Sequence, residues 1–177
     1  MAVTLTSSRF TTPLGSMLGV ATEEAVVLLE FEERRDLARE LEDLARDAAI
    51  VDGTNAPLER LKRELDGYFA GELAEFKTPL ELRGTPFQMR AWQELLKIPA
   101  GATITYLQLA QAVGNPNSFR AVAQANGANR LAVVVPCHRV VNTNGGLGGY
   151  AGGLERKRWL LEHERTVFGG RVEGRLF

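Results

Sequence analysis

The chain is 177 residues long, 45% apolar and close to neutral at a formal charge of -1, with one cysteine and two histidines. That length fits one large or two small domains around a packed core, and no segment approaches the apolar run a bilayer span needs. A single thiol excludes an internal disulfide, and one Cys with two His falls short of the roughly four ligands of a structural zinc site, so no metal and no cofactor are expected.

Residues Met1–Phe10 show no basic stretch leading into an apolar one, and an unpaired thiol suits a reducing compartment. The expectation is a cytoplasmic protein without membrane association. The near-zero charge conceals a split. Residues 1–83 hold 10 Lys/Arg against 17 Asp/Glu, a net of -7, whereas residues 84–177 hold 11 against 5, a net of +6. A basic half predicts contact with an anion such as nucleic acid, while the acidic half reads as solvated surface.

In the first half, Val3–Arg9, Ser16–Ala21 and Ala25–Phe31 are short β-branched or alternating segments, separated by Pro13-Leu-Gly15 and Glu23-Glu24. They predict a small antiparallel meander. The period then lengthens. Leu37, Leu41 and Leu44 within Arg34–Asp47, and Leu58, Leu61 and Leu65 within Pro57–Phe69, predict two amphipathic helices, the second entered through Gly53-Thr-Asn55. Lys77–Gly84 connects to a second half that reads as the helices Pro86–Leu96, Thr105–Val113 and Ser118–Asn126, with a loose tail after Phe168.

The last two of these helices flank Gly114-Asn-Pro-Asn-Ser118, a turn that stops one helix and caps the next, which is a helix-turn-helix pattern. Its second helix, Arg120-Ala-Val-Ala-Gln-Ala125, carries one long cation among small side chains. Major-groove readers present several Arg, Asn or Gln to base edges. A helix this smooth instead fits a narrow groove, with Arg120 as its probe.

After the apolar run Leu131–Val135 comes Pro136-Cys-His-Arg-Val140, followed by a glycine-rich loop. A lone thiol is most often a small buried hydrophobe, but a cysteine beside a histidine between such flanks reads as a chemical centre. A free thiol is only a few per cent ionised near neutrality, so a base and a carboxylate to orient it have a clear use. His138 is the base. Glu162 and Glu164 compete as the carboxylate, and projecting about 200° apart on a helix they cannot both face the site. Gly145-Gly146, Gly148-Gly149 and Gly152-Gly153 lack the following Gly-Lys-Ser/Thr and the leading strand of a phosphate loop, which argues against nucleotide binding.

Thr85–Glu164 resembles the O6-alkylguanine-DNA alkyltransferases, repair proteins that take alkyl groups from damaged guanine. The resemblance rests on Pro86-Phe-Gln-Met-Arg-Ala-Trp92, Ile104-Thr-Tyr106, Gly114-Asn-Pro116, Arg120-Ala-Val122, Asn129, Pro136-Cys-His-Arg-Val140, Gly149-Tyr-Ala-Gly-Gly153 and Lys157-Arg-Trp-Leu-Leu-Glu-His-Glu164, in that order. It implies an α/β (α+β) protein: a small ribonuclease H-like sheet-plus-helix domain over 1–83, a winged helix-turn-helix DNA-binding and catalytic domain over 84–168, and a tail over 169–177. The N-terminal half resembles the family only in general plan.

The resemblance also implies roles. Cys137 accepts the alkyl group once, from O6-alkylguanine or O4-alkylthymine in duplex DNA, and His138 reaches it through an ordered water. Glu164 orients His138, and Asn129 braces the active-site turn. Because the target is stacked in the duplex, the nucleotide must be flipped out. Arg120 then fills the vacated position, and Tyr106 aids rotation and gives a proton to the departing base. Asn115 and Thr143 touch the DNA backbone, and Val140, Tyr150, Ala151 and Gly152 surround the purine, the glycines allowing close backbone approach. The protein would act as a monomer. Ala123, Gln124 and Ala151 depart from residues found in some members and bear on pocket size. Rival readings are a lesion-binding protein without chemistry, a helix-turn-helix transcription regulator, and a Cys-His hydrolase working by acyl transfer.

Overall fold

The structure, a computed structural model, describes residues 3–169. The expected tail over 169–177 lies outside the described residues except for Gly169. The chain divides into two compact units, Met1–Leu82 and Arg83–Phe177.

In the first unit, β1 (Val3–Thr12), β2 (Gly15–Ala21) and β3 (Val26–Phe31) form the antiparallel meander that the sequence predicts, with Phe10 opposite Met17 and Met17 opposite Phe31. A fourth strand, β4 (Ala48–Asp52), pairs parallel with β1, giving the order β3-β2-β1-β4. The sheet is therefore mixed rather than purely antiparallel. Helix α1 (Leu37–Ala45) supplies the crossover that a parallel pairing needs. The sequence Ala-Ala-Ile-Val-Asp gives no clear alternation, which is why β4 is not predictable from it.

Helix α1 begins at Leu37 rather than Arg34. The Arg34 guanidinium turns into the interior instead, pairing with Glu30 and lying 3.6 Å from Glu40. Leu37 and Leu44 pack with Leu18, Val20 and Leu28 in one core cluster. Helix α2 (Ala56–Phe69) has Asn55 as N-cap, its side chain accepting from the Leu58 N–H at 3.2 Å. Its stripe Leu58, Leu61 and Leu65 is buried, each leucine contributing about 1.5–3 kcal/mol.

The second unit opens with α3 (Pro86–Leu95), started by a capping box between Thr85 and Gln88. A second such box, Thr105 with Gln108, starts α4 (Tyr106–Ala112). Gly114, at φ +91°, makes the turn into α5 (Phe119–Gly127), and the Arg90 side chain donates to the Val113 carbonyl at the end of α4. The Trp92 indole donates to the Ala125 carbonyl at 2.8 Å, which fixes α3 against α5. After a single 3-10 turn, Cys137–Arg139, the chain forms β6 (Val140–Val141), parallel to β5 (Ile104–Thr105). This short ribbon matters for the site: Thr105 pairs with Val141, so the start of α4 is held beside the strand that leaves Cys137. Helix α6 (Leu154–Phe168) closes the unit, burying Lys157, Leu160, Glu164 and Phe168 along one stripe. Among the described residues no helix is long and apolar enough to cross a membrane, and no group of three or more His, Cys, Asp or Glu is placed to hold a metal.

Candidate active site

Two tight turns lead to Cys137. Around Val133, at φ +72°, the Val134 N–H donates to the Ala132 carbonyl at 2.8 Å. A left-handed conformation costs a β-branched residue on the order of 1–3 kcal/mol. Around Pro136, at φ -82° and ψ 64°, the Cys137 N–H donates to the Val135 carbonyl at 2.8 Å, the relaxed form of the same kind of turn. Asn129 braces this backbone. Its Oδ1 accepts from the Leu131 N–H at 2.9 Å, and its Nδ2 donates to the Val135 carbonyl at 2.8 Å and reaches Cys137 Sγ at 3.2 Å.

Cys137 is nearly buried, at 5% exposure, and lies on the wall of a cavity of about 430 Å³. Phe119, Ala123 and Gly127, spaced by four along α5, form one side with Asn126. Tyr106 enters from the start of α4, while Asn142, Gly149, Tyr150 and Ala151 come from the loop between β6 and α6. Two residues expected around a purine are placed elsewhere. The Val140 carbonyl is taken by Lys157 Nζ at 2.7 Å, the Gly152 carbonyl accepts from Arg156 Nη1 at 2.9 Å, and neither residue lines the cavity.

Behind the cysteine runs a buried polar chain. His138 Nε2 lies 2.7 Å from Glu164 Oε2, and the same carboxylate receives Arg139 Nε on Oε1 at 2.8 Å and Nη2 on Oε2 at 2.9 Å. Glu162, by contrast, lies on the exposed side of α6 and pairs with Arg165. Burial alone would raise the Glu164 carboxyl, but the charges and hydrogen bonds of His138 and Arg139 outweigh it and hold it well below the usual carboxylate range. Burial pushes His138 below its ordinary 6.5, against the pull of Glu164. An ionised Glu164 accepts, so a neutral His138 carries its proton on Nε2. Nδ1 is then the basic nitrogen, and it has no hydrogen-bond partner among the described residues.

Two more groups complete the electrostatics. Lys157 is fully buried and donates from Nζ to the carbonyls of Val140 and Gly149, at 2.7 and 3.0 Å. Burial pushes it down to about 8, and a Cys137 thiolate pulls the other way. Burial, and then the Cys137 charge, push the Tyr106 phenol up, so it stays protonated. Neither Arg139 nor Lys157 is singled out by the motif as a functional side chain, although Lys157 stands seven residues before Glu164 and therefore on its face of α6. Phe119, 46% exposed with its ring centroid 5.9 Å from that of Tyr106, and Asn126 are likewise not expected from the sequence.

Of the residues expected to meet DNA, Tyr106 lines the cavity and Arg120, Asn115 and Thr143 do not. Arg120 is exposed on the first turn of α5, one residue after Phe119. Asn115 is exposed in the turn before α5, its Oδ1 accepting from the Asn117 N–H at 3.0 Å. Thr143 is exposed in a turn closed by the Gly145 N–H on the Asn142 carbonyl at 3.0 Å.

Fold and site together define a protein with a nearly buried thiol on a cavity wall, set in a helix-turn-helix unit. Its relatives fit that class. Residues 86–166 match the family model described as 6-O-methylguanine DNA methyltransferase, DNA binding domain, and residues 6–82 match the ribonuclease-like domain of the same family. The methylated-DNA--protein-cysteine methyltransferase of Salmonella typhimurium is 44% identical over 166 residues, 90% of this chain and 95% of that one. The Mycobacterium tuberculosis protein of the same name is 53% identical over 103 residues, and there the match spans 58% of this chain and 62% of the relative's length. The crystal structure of Mycobacterium tuberculosis O6-methylguanine methyltransferase superposes with a TM-score of 0.80 at 37% identity, covering 92% of this chain and 94% of that one. Mycobacterium tuberculosis OGT in complex with DNA gives 0.80 at 37% identity, covering 93% and 94%. The chain belongs to the 6-O-methylguanine DNA methyltransferase family.

Proposed function

We propose that this chain repairs alkylated DNA by taking the alkyl group of O6-alkylguanine, and of O4-alkylthymine, onto Cys137, once per molecule. The observation that carries the reading is the buried relay, in which Arg139 and Glu164 fix His138 with Nδ1 as its basic nitrogen, next in sequence to a thiol that opens on a cavity. His138 takes the thiol proton through a water, and the thiolate attacks the alkyl carbon. An S–C bond forms as the C–O6 bond breaks, and the departing guanine gains a proton by way of Tyr106. A thioether is a poor leaving group, so the protein is consumed.

In this reading residues 84–168 carry both DNA binding and chemistry, and residues 1–83 are structural. The exposed Arg120 enters the duplex where the flipped nucleotide was, α5 lies in the minor groove, and Asn115 and Thr143 touch the backbone. Tyr150 and Ala151 face the flipped base, and Val140 and Gly152 stand behind that wall. The protein works as a monomer in the cytoplasm and needs no cofactor.

The test is intact mass after mixing the protein with a short duplex carrying one O6-methylguanine, with peptide mapping of any added methyl. One methyl on Cys137, absent with undamaged duplex and with Cys137→Ser, is the expected result. Repair of several lesions by one molecule, or an unmodified protein, overturns it.

A further inference from the structure

Phe119 is 46% exposed, and among the described residues it is the one aromatic side chain that stands exposed. It opens α5, lines the cavity, and sets its ring 5.9 Å from that of Tyr106, centroid to centroid, at a tilt of 59°. A ring left half in water gains little from the hydrophobic effect, so stability explains its presence poorly. The rest of the α5 stripe on the cavity is small. Ala123 is followed by Gly127, where an added Cβ would meet nothing within 4 Å, so close packing does not require a glycine there. Along α5, only the first residue puts bulk at the cavity.

Phe119, Gly127, Gly149 and Ala151 are exposed and mark the mouth of this cavity, while the nearly buried Cys137 lies on its inner wall. That fixes which way a base must enter. In guanine, O6 and the glycosidic nitrogen lie at opposite ends of the ring system, as O4 and N1 do in thymine. With the alkyl carbon brought to Sγ, the deoxyribose stays at the mouth, where Phe119 presents its ring. Arg120 projects about 100° around the helix from it, so one neighbour can enter the duplex while the other faces the cavity. Aromatic rings hold unstacked nucleotides without demanding a sequence. We propose that Phe119 retains the flipped nucleotide: backed by Tyr106, its ring covers the sugar at the cavity mouth and keeps the nucleotide out of the duplex while Cys137 reacts. This rests on the alkyl-acceptor reading above and adds a substrate contact to it.

Binding and reaction then respond differently to the loss of the ring. An undamaged duplex has no nucleotide held outside it, so Phe119→Ala is expected to bind such a duplex as wild type does. Methyl transfer at saturating O6-methylguanine duplex is expected to slow about tenfold, as loss of one aromatic contact to a nucleotide does. Phe119→Tyr keeps the ring and is expected to restore most of the rate. Because the side chain is half exposed at the start of its helix, both variants should melt near the wild-type temperature.

The experiment pairs a single-turnover time course at saturating O6-methylguanine duplex with the affinity for the same duplex undamaged, read by fluorescence anisotropy at one salt concentration. It compares wild type, Phe119→Ala, Phe119→Tyr, Tyr106→Phe and the double variant of Phe119→Ala with Tyr106→Phe. Tyr106→Phe keeps the ring that backs Phe119 and removes only the hydroxyl, so the two losses are expected to multiply. A double variant no slower than its slower parent would mean that Phe119 acts through the Tyr106 hydroxyl, and it overturns the inference. The same follows from a Phe119→Ala protein as fast as wild type, from one whose affinity for undamaged duplex falls as far as its rate, or from a Phe119→Tyr protein as slow as Phe119→Ala. Each of these leaves the alkyl-acceptor reading standing. A wild-type protein that takes up no methyl overturns both.

Discussion

Arg139 grips Glu164 at two points, Nε on Oε1 at 2.8 Å and Nη2 on Oε2 at 2.9 Å, with its remaining Nη1 on the Ile98 carbonyl at 2.6 Å. The carboxylate that orients His138 is thus itself held in plane by a side chain two residues from the nucleophile. With both groups almost fully buried, burial pushes the Glu164 carboxyl up, and the Arg139 pair adds to the larger effect of His138 in holding it well below the usual carboxylate range.

Replacing Arg139 with methionine leaves that carboxylate buried without its counter-charge. Breaking a buried pair from one side costs about 3–5 kcal/mol. Both tryptophans, Trp92 and Trp159, lie in the second unit, so denaturation followed by tryptophan emission reports this loss for the unit that contains it. Arg139→Lys is expected to recover only part of the loss, since a point charge cannot make the two parallel bonds. An Arg139→Met protein as stable as wild type would show that the pair contributes nothing net.

On the acid side, the pH dependence of stability follows from two depressed groups. His138 has a folded pKa below 6.5, so on acidification from 6.5 the unfolded chain binds a proton that the folded chain refuses. Its contribution is complete above 6.5 and is lost as the pH falls from there toward the folded value. Glu164 acts in the same direction at lower pH: its contribution is complete above 4.5 and is lost below it, as the carboxylate protonates. Melting temperature is expected to be flat between about 6.5 and the value of about 8 to which burial pushes Lys157, to decline beneath 6.5, and to decline more steeply beneath about 4.5. His138→Gln should flatten the upper part of that decline and leave the lower part. An unchanged upper slope in the variant would assign the loss to other groups.

Much of this was legible in the sequence, and the exceptions have physical causes. Leucine spacing predicts α1 and α2, and helices are expected from Pro86 and from Thr105, close to the starts of α3 and α4, because these are signals carried by residues close in the chain. Strand β4 is not legible, since its pairing with β1 joins Val3 to Ala48 and its own side chains do not alternate. The cysteine and histidine announce themselves by adjacency. Arg139 hides in the same motif because an arginine beside a nucleophile in a basic half reads equally well as a contact for phosphate, and only the fold shows its side chain turned inward to Glu164. Asn126 is hidden more deeply: nothing local distinguishes it from a solvated helix residue until the fold buries it and brings the Cys137 carbonyl within its reach.

Asn129 offers the sharpest test of how the nucleophile is presented. Val133 holds φ +72° although it is β-branched and fully buried, and the adjoining backbone is fastened by Asn129 through Leu131 and Val135. Asn129→Ala removes both fastenings, leaving the buried Leu131 N–H short of a partner at about 1–3 kcal/mol while the Val135 carbonyl keeps the Cys137 N–H, and it frees Val133 to relax out of the left-handed region. Relaxation there would move Pro136 and turn Sγ away from the cavity wall. The variant is therefore expected to lose stability in the tryptophan-monitored transition and to react more readily with a small thiol reagent such as iodoacetamide, as the buried cysteine becomes accessible, while methyl transfer from duplex DNA slows by at least tenfold, about 1.4 kcal/mol in the barrier. Small-reagent reactivity and methyl transfer that fell together would mean that Asn129 acts on the thiol itself, through the 3.2 Å contact with Sγ, and not through the turn.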